Sequence, residues 1–253
     1  MGKIISVSNQ KGGVGKTTTS LSLAASLGVL EKKVLLIDAD PQGNATSGIG
    51  IASEDFELTS YNVLLNQCKI EDSIIKTKSP NLDIIPANID LVAVEIELVD
   101  ANMREHMLKG IIDKIKDNYD FIIIDCPPSL GLITINALTA SDSVIIPIQC
   151  EYYALEGLGK LLNTIKGVQK VHNNTLEIEG ILLTMFDSRL KLSNQVKDDV
   201  RKHFEDIVFN TIIPRNVSLG EAPSHGESII DYNSTSKGSK SYIKFAQEII
   251  NLN

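Results

Sequence analysis

Long apolar runs are missing from this chain of 253 residues, which nowhere approaches the roughly twenty consecutive apolar residues that a membrane-spanning helix needs. No secretory leader pattern precedes Lys3, so a cytoplasmic protein is expected. Cysteine is scarce as well. Cys68, Cys126 and Cys150 lie far apart with no C-x-x-C pair, and they read as buried small hydrophobes in a reduced compartment. The four histidines (His106, His172, His203, His225) fall at no metal-ligand spacing. Positive charge is in short supply: 24 Lys and Arg against 32 Asp and Glu leave a net charge of −8. That balance excludes a surface coated in nucleic-acid-binding charge, but leaves room for a local basic patch. Internal repeats, low-complexity tracts and dividing linkers are also absent, so one domain spanning 1–253 is expected.

What the chain does have is alternation. Apolar, β-rich runs at 4–7, 34–37, 82–85, 121–124, 144–148 and 178–184 are separated by helical patterns, notably 91–115 and 154–171. Several of the runs are apolar at every position, as parallel strands covered on both faces must be. The pattern specifies a doubly wound, mostly parallel α/β fold with its ligand site at the C-terminal ends of the strands. A polar stretch at 231–241 reads as a loop. After it comes a final helix with Tyr242, Phe245, Ala246, Ile249 and Ile250 on one face, spaced to dock on the core.

The first strand runs into Asn9-Gln10-Lys11-Gly12-Gly13-Val14-Gly15-Lys16-Thr17-Thr18 and then a helix. Strand, glycine-rich turn and helix start make a P-loop, a phosphate cradle in which backbone N–H groups and the helix N-terminus bind the anion. Lys16 would reach the terminal phosphates and the Thr17 hydroxyl would bind Mg²⁺. Gln10 stands where the usual pattern has glycine, and a second lysine, Lys11, sits at the mouth of the loop. After the second strand, Asp38-Ala39-Asp40-Pro41-Gln42-Gly43-Asn44 sends two carboxylates out where a nucleotide would sit. The run Phe121-Ile122-Ile123-Ile124-Asp125-Cys126-Pro127-Pro128-Ser129 has the form of a Walker B strand, with an acid at its tip for Mg²⁺ and prolines that force a turn.

The two-lysine loop resembles the deviant P-loop of the ParA/MinD group of ATPases. The resemblance implies ATP and Mg²⁺ as ligands and an ATP-sandwich homodimer in which Lys11 reaches the partner's nucleotide. By the same resemblance Asp40 positions the attacking water in the first switch, and Asp38 supports the Mg²⁺ hydration shell. Pro147-Ile148-Gln149-Cys150-Glu151-Tyr152-Tyr153-Ala154-Leu155-Glu156-Gly157, Thr184-Met185-Phe186-Asp187-Ser188-Arg189 and Ile213-Pro214-Arg215-Asn216-Val217 look like the ParA/Soj chromosome-segregation branch. Met185, Pro214 and Asn216 would then line an adenine pocket, alongside the loop residues Gly12, Gly13, Val14, Gly15 and Thr18.

That branch implies non-specific double-stranded DNA binding by the ATP-bound dimer, release stimulated by a ParB-like partner, and association with the nucleoid. Arg189, Lys191, Lys197, Arg201, Lys202, Lys237 and Lys240 are the candidate phosphate contacts, interleaved with Asp198, Asp199 and Glu205. Ser218 follows Val217, where the family often carries a further arginine. A MinD-like membrane ATPase is the alternative. It would end in a basic amphipathic helix, whereas this tail carries Lys244, Glu248, Asn251 and Asn253, so no membrane attachment is expected.

Overall fold

The apolar runs become six strands of a seven-stranded sheet in the computed structural model of the chain, which describes residues 2–151 and 154–253. The first half of the chain contributes β1 (Lys3–Val7), α1 (Lys16–Val29), β2 (Val34–Asp38), α2 (Asn44–Gly48), α3 (Ser60–Leu64), β3 (Ile75–Lys76) and β4 (Leu82–Ile85). It continues through α4 (Val94–Glu97), α5 (Met107–Ile112), β5 (Phe121–Asp125), α6 (Leu132–Ala140) and β6 (Ser143–Gln149). The remainder supplies α7 (Ala154–Val171), β7 (Glu177–Thr184), α8 (Lys191–Phe204), α9 (Val217–Glu221), α10 (Ile229–Tyr232) and α11 (Lys237–Leu252). Strand order is β3-β4-β2-β5-β1-β6-β7, and every pairing is parallel except β3 with β4.

Because side chains alternate across a strand, each apolar run feeds two cores. Val34 and Leu36 face α1, α10 and α11, together with Ile5, Val7, Ile84 and Ile123. Leu35 and Ile37 face α3, α5 and α6, together with Ile4, Ile85, Ile122 and Ile124. A third cluster joins β6 and β7 to α7 and α8. Helix α11 docks as its spacing predicts: Tyr242, Phe245, Ala246 and Ile249 are buried and Ile250 is partly covered. Phe245 meets Phe209 edge-on at 4.8 Å, a burial worth about 2–3 kcal/mol.

Three local expectations change. β3 is a two-residue antiparallel edge strand that no apolar run announces. The stretch 91–115 is not one helix but a 3₁₀ turn at Ile89–Ala93, then α4, a second 3₁₀ turn at Arg104–His106 entered by Met103 in the left-handed region, and α5. Apolar side chains lie on both the buried and the exposed side of this segment, interleaved outside with acids, so helical spacing alone misleads. The loop at 231–241 shrinks to residues 233–236, because α10 ends at Tyr232 and the Ser236 hydroxyl accepts from Ser239 N–H to cap α11. Lys237 and Lys240 therefore lie on the first turn of a helix.

A candidate nucleotide site at the topological switch point

β1 lies between β5 and β6, so the sheet reverses its winding at the loop that leaves β1. Side chains brace that loop from outside. Asn9 donates from Nδ2 to Pro147 O at 2.7 Å while its Oδ1 accepts from Lys11 N–H at 3.0 Å, and Thr184 Oγ1 donates to Val14 O at 2.8 Å. Gly13 (φ 74°) and Gly15 (φ 88°) take left-handed conformations that a Cβ would strain. Gly15 also caps α1 without any side-chain acceptor, and no acid stands in the first turn, so the helix presents free N–H groups and their partial positive charge outward.

In-register pairing does the rest. Val7 stands beside Asp125, and Asp125 beside Asp38, so the strand ends bring both acids next to the loop. Ser20, one turn along α1 from Lys16, donates to Asp125 Oδ1 at 2.8 Å, leaving Asp125 Oδ2 buried with no partner. Asp38 is saturated: its Oδ2 accepts from Thr46 N–H at 2.9 Å and Thr46 Oγ1 at 2.7 Å, and its Oδ1 accepts from Asp40 N–H at 3.1 Å. Asp38 thus pins the loop that carries Asp40. Burial pushes both the Asp38 and Asp125 carboxyls up from the usual range, and their mutual proximity adds to the shift at Asp125. Burial lowers Lys16, and the nearby Asp125, Cys126 and Asp40 oppose that shift. Lys16 Nζ donates to Lys11 O at 3.2 Å. The Cys126 and Cys150 thiols are buried and pushed up, Cys150 to about 11, so neither is a ready nucleophile.

Two adjoining cavities follow. One of about 470 Å³ is lined by Gly12, Gly13, Gly15, Lys16, Thr17, Thr18 and Asp40, with Gln42, Ser47 and Pro128 across from them. A second of about 190 Å³ shares Gly15, Thr18 and Met185 with the first, and adds Pro214, Asn216, Leu219 and Tyr242. Met185 holds a left-handed backbone (φ 51°) between the two. Asn216 Oδ1 is buried there without a donor, a demand that the exocyclic amine of adenine can meet. Val14 is buried under the loop. Lys11 stands apart: its ammonium lies 3.9 Å from Glu151 Oε2, and it lines neither cavity.

The orphaned Asp125 oxygen and two buried carboxylates fit a hard cation. Among the described residues no cluster of three or more His, Cys, Asp or Glu could hold a metal alone. That suits Mg²⁺, which keeps water and shares phosphate oxygens rather than demanding a protein cage.

The basic candidates form two groups. Lys191, Lys197, Arg201 and Lys202 ride on α8, and Lys237 and Lys240 sit on the first turn of α11, where Gly238 packs against Leu219 and Asn216. Arg189, just before α8, is highly exposed but held bidentately by its neighbour, with Nε and Nη2 donating to the two Asp187 oxygens at 2.9 and 2.7 Å. That pairing holds the Asp187 carboxyl down to about 2. Lys197 lies beside Asp198 at 3.3 Å and over the Phe186 ring at 5.6 Å. Tyr152 and Tyr153 of the branch motif lie outside the described residues. Reading the motifs alone missed Ser20, Thr46, Thr184 and Asn9. Ser20 was available as the position one turn beyond Lys16, and Asn9 and Thr184 open quoted motifs without a role assigned to them, whereas Thr46 lies in no motif.

A phosphate loop at the switch point of a parallel sheet, two acids on neighbouring strand ends and a braced base cavity define a P-loop nucleotide hydrolase. A family described as "AAA domain" matches residues 2–178, and the chain is 58% identical over 249 residues to the sporulation initiation inhibitor protein Soj of Bacillus subtilis, covering 98% of each. It belongs to the Soj/ParA family of chromosome-partitioning ATPases, and is itself an ATPase. Chromosome partitioning protein ParA of Myxococcus xanthus is 52% identical over 250 residues, covering 99% of this chain and 88% of that one. Cobyrinic acid a,c-diamide synthase from Mycobacterium smegmatis, solved with ADP and magnesium, superposes with a TM-score of 0.88 at 37% identity, covering 99% of this chain and 95% of that structure.

Proposed function

We propose that this chain partitions DNA through an ATP-gated dimer. Two copies clasp two nucleotides, the clasped form holds double-stranded DNA without sequence preference, and hydrolysis stimulated by a ParB-like partner releases it. One observation carries the reading. Lys11 belongs to the phosphate loop by its backbone, yet its side chain lines neither nucleotide cavity and its ammonium pairs with Glu151. A lysine so placed is free to reach another subunit's phosphates.

Within one subunit, the loop amides and Lys16 neutralise charge spreading over the transferred phosphoryl group, and Asp40 orients the in-line water. Ser20 holds one Asp125 oxygen and leaves the other without a protein partner, so Asp125 and the Thr17 hydroxyl would hold Mg²⁺. Magnesium held there would add further neutralisation of phosphate charge. Asp38 holds Asp40 in place by accepting its N–H, while Thr46 anchors the other Asp38 oxygen. Met185, Pro214 and Asn216 receive the adenine. The exposed Lys191, Arg201, Lys202, Lys237 and Lys240, with Arg189 and the half-buried Lys197, contact DNA phosphates, and the protein works on the nucleoid. Helix α11 does not offer its apolar face to a membrane, because that face is buried in the core with α1. Among the described residues no helix is long and apolar enough to cross a bilayer.

DNA co-sedimentation with ATP, ADP or no nucleotide, at two salt concentrations and beside anionic liposomes, tests this. Retention on DNA only with ATP, and weaker at higher salt, is expected. Retention on liposomes instead would replace partition with a membrane role.

A further inference from the structure

One stretch of chain serves both cavities of the nucleotide site. Pro214, Asn216, Leu219 and Gly220 line the base cavity. Shortly after Gly220, Pro223 lines the phosphate cavity in company with Asp40, Gln42 and Ser47.

Between the two cavities the chain is held tightly. Helix α9 runs straight into a 3₁₀ turn at Ala222–His225. Ser224 Oγ donates to Glu221 O at 2.6 Å, and the Gly226 and Glu227 N–H groups donate to Pro223 O and Ala222 O at 3.1 and 3.2 Å. Ala222 is buried in one cluster with Ala45 and Ile49, and His225 stacks on Tyr232 with ring centroids 5.0 Å apart.

The far end of the turn bears on the end of α2, backbone against backbone. Gly226 (φ 64°) and Gly50 (φ 80°) both hold left-handed conformations. A Cβ on Gly226 would stand 2.7 Å from Gly50 Cα, and a Cβ on Gly50 would stand 2.6 Å from Gly226 O. Main chain on both sides of so close a contact leaves no side chain to absorb a shift. Pro223 packs over Gly48 of the same helix, where a Cβ would lie 3.5 Å from the proline Cβ. Helix α2 in turn holds the loop that carries Asp40. Gly43 N–H donates to Asp40 O at 2.9 Å and Ser47 N–H to Gly43 O at 3.0 Å, while Thr46 anchors the Asp38 carboxylate that accepts from Asp40 N–H.

We propose that the segment 222–226 is a positioning element that makes the placing of Asp40 depend on the base. Adenine seated on Asn216 fixes α9 and the turn. The contact between Gly226 and Gly50 passes that constraint to α2, and α2 sets the loop from which Asp40 orients water. Binding energy from the base, which takes no part in the reaction, is thereby expressed in turnover and not in affinity alone. The proposal rests on the reading of Asp40 given above.

Single-turnover hydrolysis by the full chain at saturating nucleotide tests it, with ATP and with purine riboside triphosphate. The second substrate lacks only the exocyclic amine and has the same kind of leaving group. The wild type should hydrolyse it about fivefold or more slowly than ATP, the rate equivalent of one hydrogen bond. Gly226→Ala should bring the ATP rate down to about the same level and shrink the difference between substrates to about twofold or less, with ATP-analogue affinity within about threefold of wild type. Gly50→Ala loads the same contact from the other side and should behave alike; thermal melts show which variants fold, and the wild-type comparison needs neither. Equal wild-type rates on the two substrates overturn the proposal. So does a folded variant that slows both substrates by one common factor, or one that loses affinity with its rate unchanged. Light scattering runs alongside, and a wild type that dimerises with ATP but not with purine riboside triphosphate assigns the base effect to assembly and also overturns it. Asp40→Ala separates the two readings. If that variant hydrolyses ATP, the reading of Asp40 fails; if it is inactive while the wild type treats both substrates alike, Asp40 stands and the positioning element fails.

Discussion

Truncating Lys11 to alanine should leave the fold and nucleotide affinity nearly intact while removing most of the hydrolysis. The backbone of Lys11 does its work in the loop without the side chain: its N–H is held by Asn9 and its carbonyl accepts from Lys16. The side chain contributes one partly exposed ion pair with Glu151 at 3.9 Å, worth about 0–1 kcal/mol of stability at most. Its ammonium lines neither cavity, so binding of ATP to a single subunit loses little. If that ammonium neutralises transition-state charge in a second subunit, as a trans-acting arginine does, its loss costs about 10³-fold in kcat, or about 4 kcal/mol. Three measurements on Lys11→Ala separate the effects: thermal melting, affinity for a non-hydrolysable ATP analogue, and single-turnover hydrolysis at saturating nucleotide. A Tm near wild type, an affinity within a few-fold and a near-complete loss of turnover are expected. Retained turnover, or an affinity loss as large as the rate loss, would refute the reasoning.

Other substitutions probe separate parts of the site. The raised Asp38 and Asp125 carboxyls keep protons that the unfolded chain releases, so nucleotide-free stability should fall as pH rises from the ordinary carboxylate range toward neutrality. Asp125→Asn should flatten that slope in thermal melts without magnesium, and abolish hydrolysis; an unchanged slope would contradict the assignment. Asn216→Ala removes the buried acceptor of the base cavity and should cost about 1–3 kcal/mol in ATP-analogue affinity by calorimetry, leaving phosphate-loop binding of inorganic triphosphate unchanged. Asp187→Ala frees the Arg189 guanidinium and should tighten ATP-dependent DNA binding several-fold, whereas Arg189→Ala should weaken it and lower the salt slope by about one for each phosphate no longer engaged.

The parallel sheet was readable from sequence because its strands are apolar on both faces. Val34 to Ile37 and Phe121 to Ile124 admit no amphipathic helix, and they pair side by side as expected. β3 was not readable, since two residues, one of them an exposed lysine at an antiparallel edge, carry no period. The segment after β4 misled for the opposite reason. It has too much apolar character, on two sides, and the helical spacing of its outward row reflects a surface rather than a helix. Within the site, glycine spacing marks a loop because backbone geometry demands glycine, and an acid at the tip of a buried strand needs a reason to be there. The hydroxyls of Ser20, Thr46 and Thr184 act through distance alone, which only the folded chain reveals. Met185, Pro214 and Asn216 were suggested by family likeness, and all three come to line one cavity, although Met185 and Pro214 are far apart in sequence. Arg189 read as a free cation, and its bidentate grip on Asp187 could not be seen from charge counting.

The dimer that traps nucleotide between Lys11 and a neighbour's phosphate loop is most directly tested with Asp40→Ala, which should bind ATP yet lack the group that orients water. Light scattering with Mg²⁺ and ATP should give twice the subunit mass of 27.6 kDa for this variant, and a single subunit when Lys11→Ala is added. An ATP-saturated Asp40→Ala protein that stays at one subunit mass would contradict the account.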